Sequence, residues 1–292
     1  MTTRAQIESF HDPVTGTFSH LVLDPATRRC ALVDTVLDYD PAAGRTRSTS
    51  AEKLLARVQA LGAQVDWLLE THVHADHLSA AAWLQDRVGG RIAVGEHIVT
   101  VQQTFGRLFN AEPGFVPDGR AFDHRFADGE VFHIGELRLR ALHTPGHTPA
   151  CMTYLLEDDA TPAAFVGDTL FRPDYGSARC DFPGGDAALL YRSVRKLLAL
   201  PPQTRLYFCH DYPAAGQAPQ ITATVAEERA ANIHLHDGVE EAEFVAMRRQ
   251  RDATLAMPTL LLPSVQVNMR AGHLPPAEDN GTRYLKIPLN QL

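Results

Sequence analysis

Apolar residues near the start of the chain come in short, branched runs. Ser19-His20-Leu21-Val22-Leu23 and Cys30-Ala31-Leu32-Val33-Asp34 are separated by the turn-forming Asp24-Pro25-Ala26-Thr27, which predicts a hairpin. From Ser50 to Leu61 the apolar spacing becomes helical, and the compact run Val65 to Thr71 predicts a buried strand. That strand feeds directly into His72-Val73-His74-Ala75-Asp76-His77. Beyond it, Leu78 to Val88 is Ala-rich and helical in period until Gly89-Gly90 stops it. A histidine-rich loop thus joins a strand to a helix. Val131 to Ile134 and Leu137 to Leu142 flank a Gly135-Glu136 turn, and Met152 to Leu156, Ala163 to Val166 and Arg205 to Cys209 predict three more strands. Asp186 to Leu200 reads as a helix that ends before Pro201-Pro202. Ile221 to His236 and Val239 to Arg251 read as mostly helical, ahead of a proline-rich tail at Leu274-Pro275-Pro276. Many strands with helices between them imply a layered α/β fold, two sheets face to face with helices outside.

Composition narrows the partners more than the fold. At 292 residues and 45% hydrophobic, the chain can bury one principal core. The net charge of −8 carries no basic run with interleaved aromatics, so nucleic acid is not an expected partner. The N-terminus has no apolar leader and no stretch is long enough to span a bilayer, so the expectation is a cytoplasmic protein without a membrane partner. Cys30, Cys151, Cys180 and Cys209 form no CxxC pair and read as free, buried thiols.

The chemistry concentrates in polar residues at strand ends. His72, His74, Asp76 and His77 fall within one turn, and crowding imidazoles and a carboxylate without a shared cation would be costly. Pro145 and Gly146 force a tight turn between His143 and His147, of which one suffices as a ligand. Asp168 follows an apolar strand in Val166-Gly167-Asp168-Thr169, and His210 follows another in Phe208-Cys209-His210-Asp211.

With these motifs in this order, the chain resembles the metallo-β-lactamase superfamily over roughly residues 10 to 235. The resemblance implies a four-layer αββα sandwich with metal at the open edge between the sheets. His72, His74 and His147 would face one metal, Asp76, His77 and His210 a second, and Asp168 could bridge them. His143 would not be a ligand, since the family's histidine follows the glycine. It also implies residues 1–235 as the catalytic domain and 236–292 as a helical or extended extension packed on the same domain.

Within the superfamily, Thr71 to Leu78, Gly167 to Leu170, Ala178-Arg179-Cys180-Asp181-Phe182, Cys209 to Tyr212 and the late Asn268-Met269-Arg270 resemble persulfide dioxygenases. That family oxidises glutathione persulfide with O2 to sulfite and glutathione at a mononuclear non-haem Fe(II). The resemblance makes His72, His147 and Asp168 the catalytic iron ligands, one Fe(II) per chain, with His74, Asp76, His77 and His210 orienting them or holding a second metal. Two histidines and one carboxylate leave coordination positions for substrate and oxygen. Every second-metal ligand is present, so the alternative is a dinuclear zinc hydrolase of acyl-glutathione thioesters like glyoxalase II. A metal-dependent sensor is a third reading. Glutathione carries carboxylates that arginine matches in bidentate fashion, so Arg179, then Arg229 and Arg270, are candidate substrate contacts, together with Tyr212 and Tyr175. A homodimer is usual for the family.

Overall fold

The computed structural model describes residues 4–158, 162–214 and 216–291. The first half of the chain runs β1 (Gln6–His11), β2 (Phe18–Asp24), β3 (Arg29–Val33), β4 (Val36–Asp40), β5 (Arg45–Arg47), α1 (Thr49–Ala60), β6 (Gln64–Leu69), β7 (Leu78–Ser79), α2 (Ala81–Val88), β8 (Arg91–Gly95), α3 (Ile98–Leu108) and β9 (His124–Phe126). The second half runs β10 (Val131–Ile134), β11 (Leu137–His143), β12 (Met152–Leu156), β13 (Ala163–Phe165), α4 (Ala187–Leu198), β14 (Arg205–Tyr207), β15 (Thr222–Thr224), α5 (Val225–Ala231), α6 (Glu241–Asp252) and α7 (Leu261–Asn268). A 3-10 turn at Gly167–Thr169 follows β13.

Six strands in the order β1-β2-β3-β6-β8-β9 form one large sheet, β10-β11-β12-β13-β14-β15 form a second, and β5-β4-β7 form a small third. Strand β2 is buried along its whole length, its Leu21-Val22-Leu23 run flanked by the buried polar residues Ser19, His20 and Asp24. Strand β11 alternates: Leu137, Leu139 and Ala141 are buried while Arg138 and Arg140 face out to Glu157. The inner faces meet in a core that joins Val22, Val33 and Leu69 to Ile134, Leu139, Tyr154 and Phe165. Each such side chain contributes about 1.5–3 kcal/mol on full burial. Helices α1, α2, α3 and α7 cover the outer face of the first sheet, and α4, α5 and α6 that of the second. The fold is therefore the expected αββα sandwich. Among the described residues no helix is long and apolar enough to cross a membrane.

Two expectations for local structure are corrected. Leu78 and Ser79 are strand rather than helix, because they pair with Leu37 and Val36 and the helix starts only at Ala81. The stretch from Ile221 to His236 opens with β15, whose threonines pair with β14; only then does Thr224 cap α5, in a reciprocal capping box with Glu227. The four cysteines are free and buried, as expected.

Helix α5 carries an acid in an unusual place. Glu228 is fully buried, with Oε2 accepting from Asn232 Nδ2 at 2.7 Å and Oε1 without a hydrogen-bond partner among the described residues. Burial, reinforced by Glu227 and Asp174, outweighs that bond and pushes its carboxyl from 4.5 up to about 8. The folded chain then keeps a proton that the unfolded chain releases, so stability falls as pH rises through that window. Glu228→Gln is expected to raise the unfolding free energy read from urea titration near pH ~9 by an amount on the order of a few kcal/mol, and to change it little near pH ~5. An equal shift at both pH values would contradict this account of Glu228.

Candidate metal centre

The metal-ligand candidates come from loops at strand ends that meet along one edge of the sandwich. His72 to His77 follow β6, His147 follows β11, Asp168 lies in the turn after β13, and His210 lies beyond β14. Distant in sequence, they are close in space. The ligand atoms of His72, His147 and Asp168 lie within 4.8 Å of one another, as do those of His74, Asp76 and His77. Asp168 Oδ2 stands 3.8 Å from His72 Nε2 and 3.6 Å from His147 Nε2. Its other oxygen, Oδ1, stands 3.3 Å from His210 Nε2, which is also 3.4 Å from Asp76 Oδ2.

The imidazoles are held in chosen tautomers. The Thr71 hydroxyl donates to Asp34 Oδ2 at 2.9 Å, leaving its oxygen to accept Nδ1–H of His72 at 3.0 Å. His147 Nδ1–H donates to the Arg179 carbonyl at 2.8 Å. In both rings Nε2 is left with its lone pair facing Asp168. Burial, reinforced by His74 and His147, keeps the pKa of His72 well below the ordinary imidazole value, so the ring is neutral and able to bind a metal. His74 differs. Its Nε2 lies 3.0 Å from Asp34 Oδ1 and 3.3 Å from Glu70 Oε2. Burial disfavours its charge, but those two carboxylates outweigh that and raise its pKa well above the usual range.

The geometry fits a metal ion. His72 Nε2, His74 Nδ1, His77 Nε2, His210 Nε2 and Asp168 Oδ1 are buried and lack a hydrogen-bond partner among the described residues. Each such atom costs about 1–3 kcal/mol when left bare. Five of them in the overlapping clusters along one edge of the sandwich are what donors to bound cations look like.

Two residues that position this edge, Asp34 and Asn268, were not among the site residues expected from sequence. Asp34, just past β3 with a left-handed φ of 51°, accepts from Thr71 N at 2.8 Å, from its hydroxyl and from His74. Burial opposes its charge, but His74 and the Thr71 bonds hold its pKa below the ordinary value. The backbone outlier was the one clue, and sequence does not display it. Asn268, at the end of α7, donates to the carbonyls of His74 at 2.9 Å and His77 at 2.8 Å and accepts from Ser79 N at 2.7 Å. The C-terminal segment therefore holds the histidine loop in shape.

A cavity of about 310 Å³ opens onto the metal-ligand cluster. His147, Asp168, His210, Tyr175, Tyr212 and Arg179 all line it. Tyr212 stacks on His210, with centroids 6.0 Å apart and planes at 4°, and touches Tyr175. The arginines are distributed differently from expectation. Arg179 spends Nε and Nη2 on Asp181 at 2.6 Å each and Nη1 on the Ala256 carbonyl at 2.7 Å, so its clearest contribution is its own carbonyl under His147. Arg229 is a surface residue paired with Asp237. Arg270 is buried against Glu112 and the Phe115 ring. Neither Arg229 nor Arg270 lines the cavity. In the late Asn-Met-Arg segment it is Asn268, rather than Arg270, that reaches the site. His143 bonds the Pro149 carbonyl and stacks on His97, away from the ligand cluster.

The comparisons with known proteins agree with this geometry. The family model described as the metallo-beta-lactamase superfamily matches residues 13–210. A probable metallo-hydrolase of Burkholderia pseudomallei is 62% identical over 98% of this chain and 99% of its own. Glyoxylase B2 of Dictyostelium discoideum is 47% identical over 100% and 99%. Human mitochondrial persulfide dioxygenase ETHE1 is 30% identical over 91% of this chain and 88% of its own. Among solved structures, ETHE1 from Myxococcus xanthus superposes with a TM-score of 0.71 at 28% identity, covering 92% of this chain and 100% of that one. With its sandwich, its converging donor atoms and these relatives, the chain belongs to the metallo-beta-lactamase superfamily, and the persulfide dioxygenase ETHE1 is among its homologues.

Proposed function

We propose that this chain is a persulfide dioxygenase that converts glutathione persulfide and O2 to sulfite and glutathione, with one ferrous ion held by His72, His147 and Asp168. The observation that carries the reading is the convergence of two imidazole Nε2 atoms, each fixed by a bond at Nδ1, on one carboxylate oxygen that faces a substrate-sized cavity. Such a set leaves several coordination positions to ligands from outside the protein. Iron, when bound, supplies the dioxygen chemistry that no side chain in the cavity could provide. In the overall balance the outer persulfide sulfur loses four electrons to O2; dioxygen supplies two oxygens of sulfite, water the third, and glutathione leaves as the thiol.

The protein's own groups bind and orient. Thr71 and the Arg179 carbonyl hold the two histidines. His210, itself held against Asp76, sits beside the second oxygen of Asp168 and limits its rotation. Phe171 and Phe182 give the cavity apolar wall that excludes water from the sulfur. In this reading residues 1–235 form the catalytic domain and 236–292 an extension that completes it, since Asn268 braces the histidine loop.

One observation favours a second reading. His74, Asp76 and His77 form another converging set, and Glyoxylase B2 is a close relative, so a two-zinc centre that hydrolyses acyl-glutathione thioesters is the competing proposal. The two separate on a single preparation. Protein purified without added metal is expected to hold about one iron per chain and to take up dioxygen when given glutathione persulfide. About two zinc ions per chain with cleavage of S-lactoylglutathione would establish the hydrolase instead.

A further inference from the structure

We infer that Arg251, at the mouth of the metal cavity, is the group that receives the substrate's carboxylate, so the site selects thiol-derived substrates bearing an acid remote from the reacting sulfur. This rests on the glutathione-directed reading and assigns a recognition residue to it.

Three guanidinium groups line the cavity: Arg179, Arg248 and Arg251. Arg179 is saturated by Asp181 and the Ala256 carbonyl. Arg248 is fully buried, holds Asp252 through Nε at 2.9 Å and Nη2 at 2.7 Å, and gives Nη1 to the Ser177 carbonyl at 3.1 Å. Asp252, the acid nearest in sequence to Arg251, is thereby occupied, and its second oxygen accepts from Cys180 N at 2.9 Å. Arg251 itself is exposed in the last turn of α6, and its side chain makes no hydrogen bond or ion pair among the described residues.

The acids that line the cavity cannot neutralise Arg251 either. Asp76 and Asp168 are engaged with the histidines. An entering anion therefore meets one uncommitted fork of donors at the rim and the metal-ligand cluster at the floor. In the same cavity Phe182 and Phe171, beside His147 and His210, and Leu255, one turn beyond Arg251 in the chain, offer apolar surface. That polarity orients a ligand with its sulfur inward and its carboxylate outward. On a chain of net charge −8, a local cation also offsets the general repulsion of an acidic substrate.

The test measures binding of S-methylglutathione, which cannot turn over, to the metal-loaded protein by calorimetry, beside its dimethyl ester. Arg251→Gln is expected to raise the Kd of S-methylglutathione about ten- to a hundredfold and leave the ester's Kd unchanged; Arg251→Lys, which keeps charge but loses the fork, falls between. With glutathione persulfide the same variant is expected to raise KM by a similar factor with kcat and metal content unchanged. Equal weakening of acid and ester, an unchanged Kd for the acid, or no binding of S-methylglutathione to the wild type would overturn the assignment. Because this readout needs no turnover, it remains decisive even if the dioxygenase reading fails on iron content and oxygen uptake.

Discussion

Asp168→Ala is expected to purify almost free of metal, with affinity lowered by at least about a hundredfold, whereas His210→Ala keeps most of its metal and loses about tenfold or less. The difference follows from position. Asp168 Oδ2 is the carboxylate oxygen that both His72 and His147 face, so its removal leaves two neutral imidazoles with no anionic donor. His210 stands by the opposite oxygen, Oδ1, where it restrains the carboxylate without joining the His72–His147 pair. Metal analysis of both variants, followed by titration with ferrous iron, reads the two affinities. Equal loss in the two would mean that His210 binds metal as directly as Asp168, which is the two-metal arrangement.

The second large effect lies in a residue with no side chain. Gly146 precedes His147 with φ of +141°, and a Cβ there would sit 2.3 Å from both the backbone nitrogen and the Cα of Leu190 in α4. Neither atom belongs to a flexible side chain, so α4 and the loop would have to part. The Gly146 carbonyl also accepts from Asp186 N at 2.8 Å, and Asp186 caps the same helix through Leu189 N. Gly146→Ala is therefore expected to cost on the order of 3–5 kcal/mol, combining backbone strain with overpacking. It should also displace His147 and weaken metal retention. Denaturant unfolding with and without metal measures both effects. A variant as stable as the wild type that still binds metal would show that the close approach is not rigid.

What could be read from the sequence depended on local density. Four potential ligands between His72 and His77 cannot be mistaken for packing, and strand-end placement followed from the apolar runs ahead of them. The long central strands and the helices α1, α4 and α6 were legible because their periodicity extends over several turns or residues. Strand β7, at two residues, and β15, at three, are too short to carry a period, and only pairing with partners elsewhere in the chain makes them strands. The supporting polar residues were illegible for a related reason. Asp34 and Glu70 are single acids beside apolar runs, and nothing local distinguishes an acid that fixes a histidine from one that meets solvent; Asn268 lay in a recognisable segment, but only the fold shows that it, rather than Arg270, meets the histidine loop. Arginine was the least readable type. Whether a guanidinium is free depends on acids brought near by folding, which is why Arg229 and Arg270 are engaged elsewhere and Arg251 stands uncommitted at the cavity.

On the proposed function, this edge of the sandwich couples dioxygen to a persulfide sulfur. The most direct test of that coupling is the ratio of dioxygen consumed to sulfite formed by the iron-loaded protein given glutathione persulfide. Equimolar consumption and formation, absent in Asp168→Ala, is the predicted result. Sulfite formed without oxygen uptake, or no reaction with the persulfide alongside rapid thioester cleavage, would contradict it.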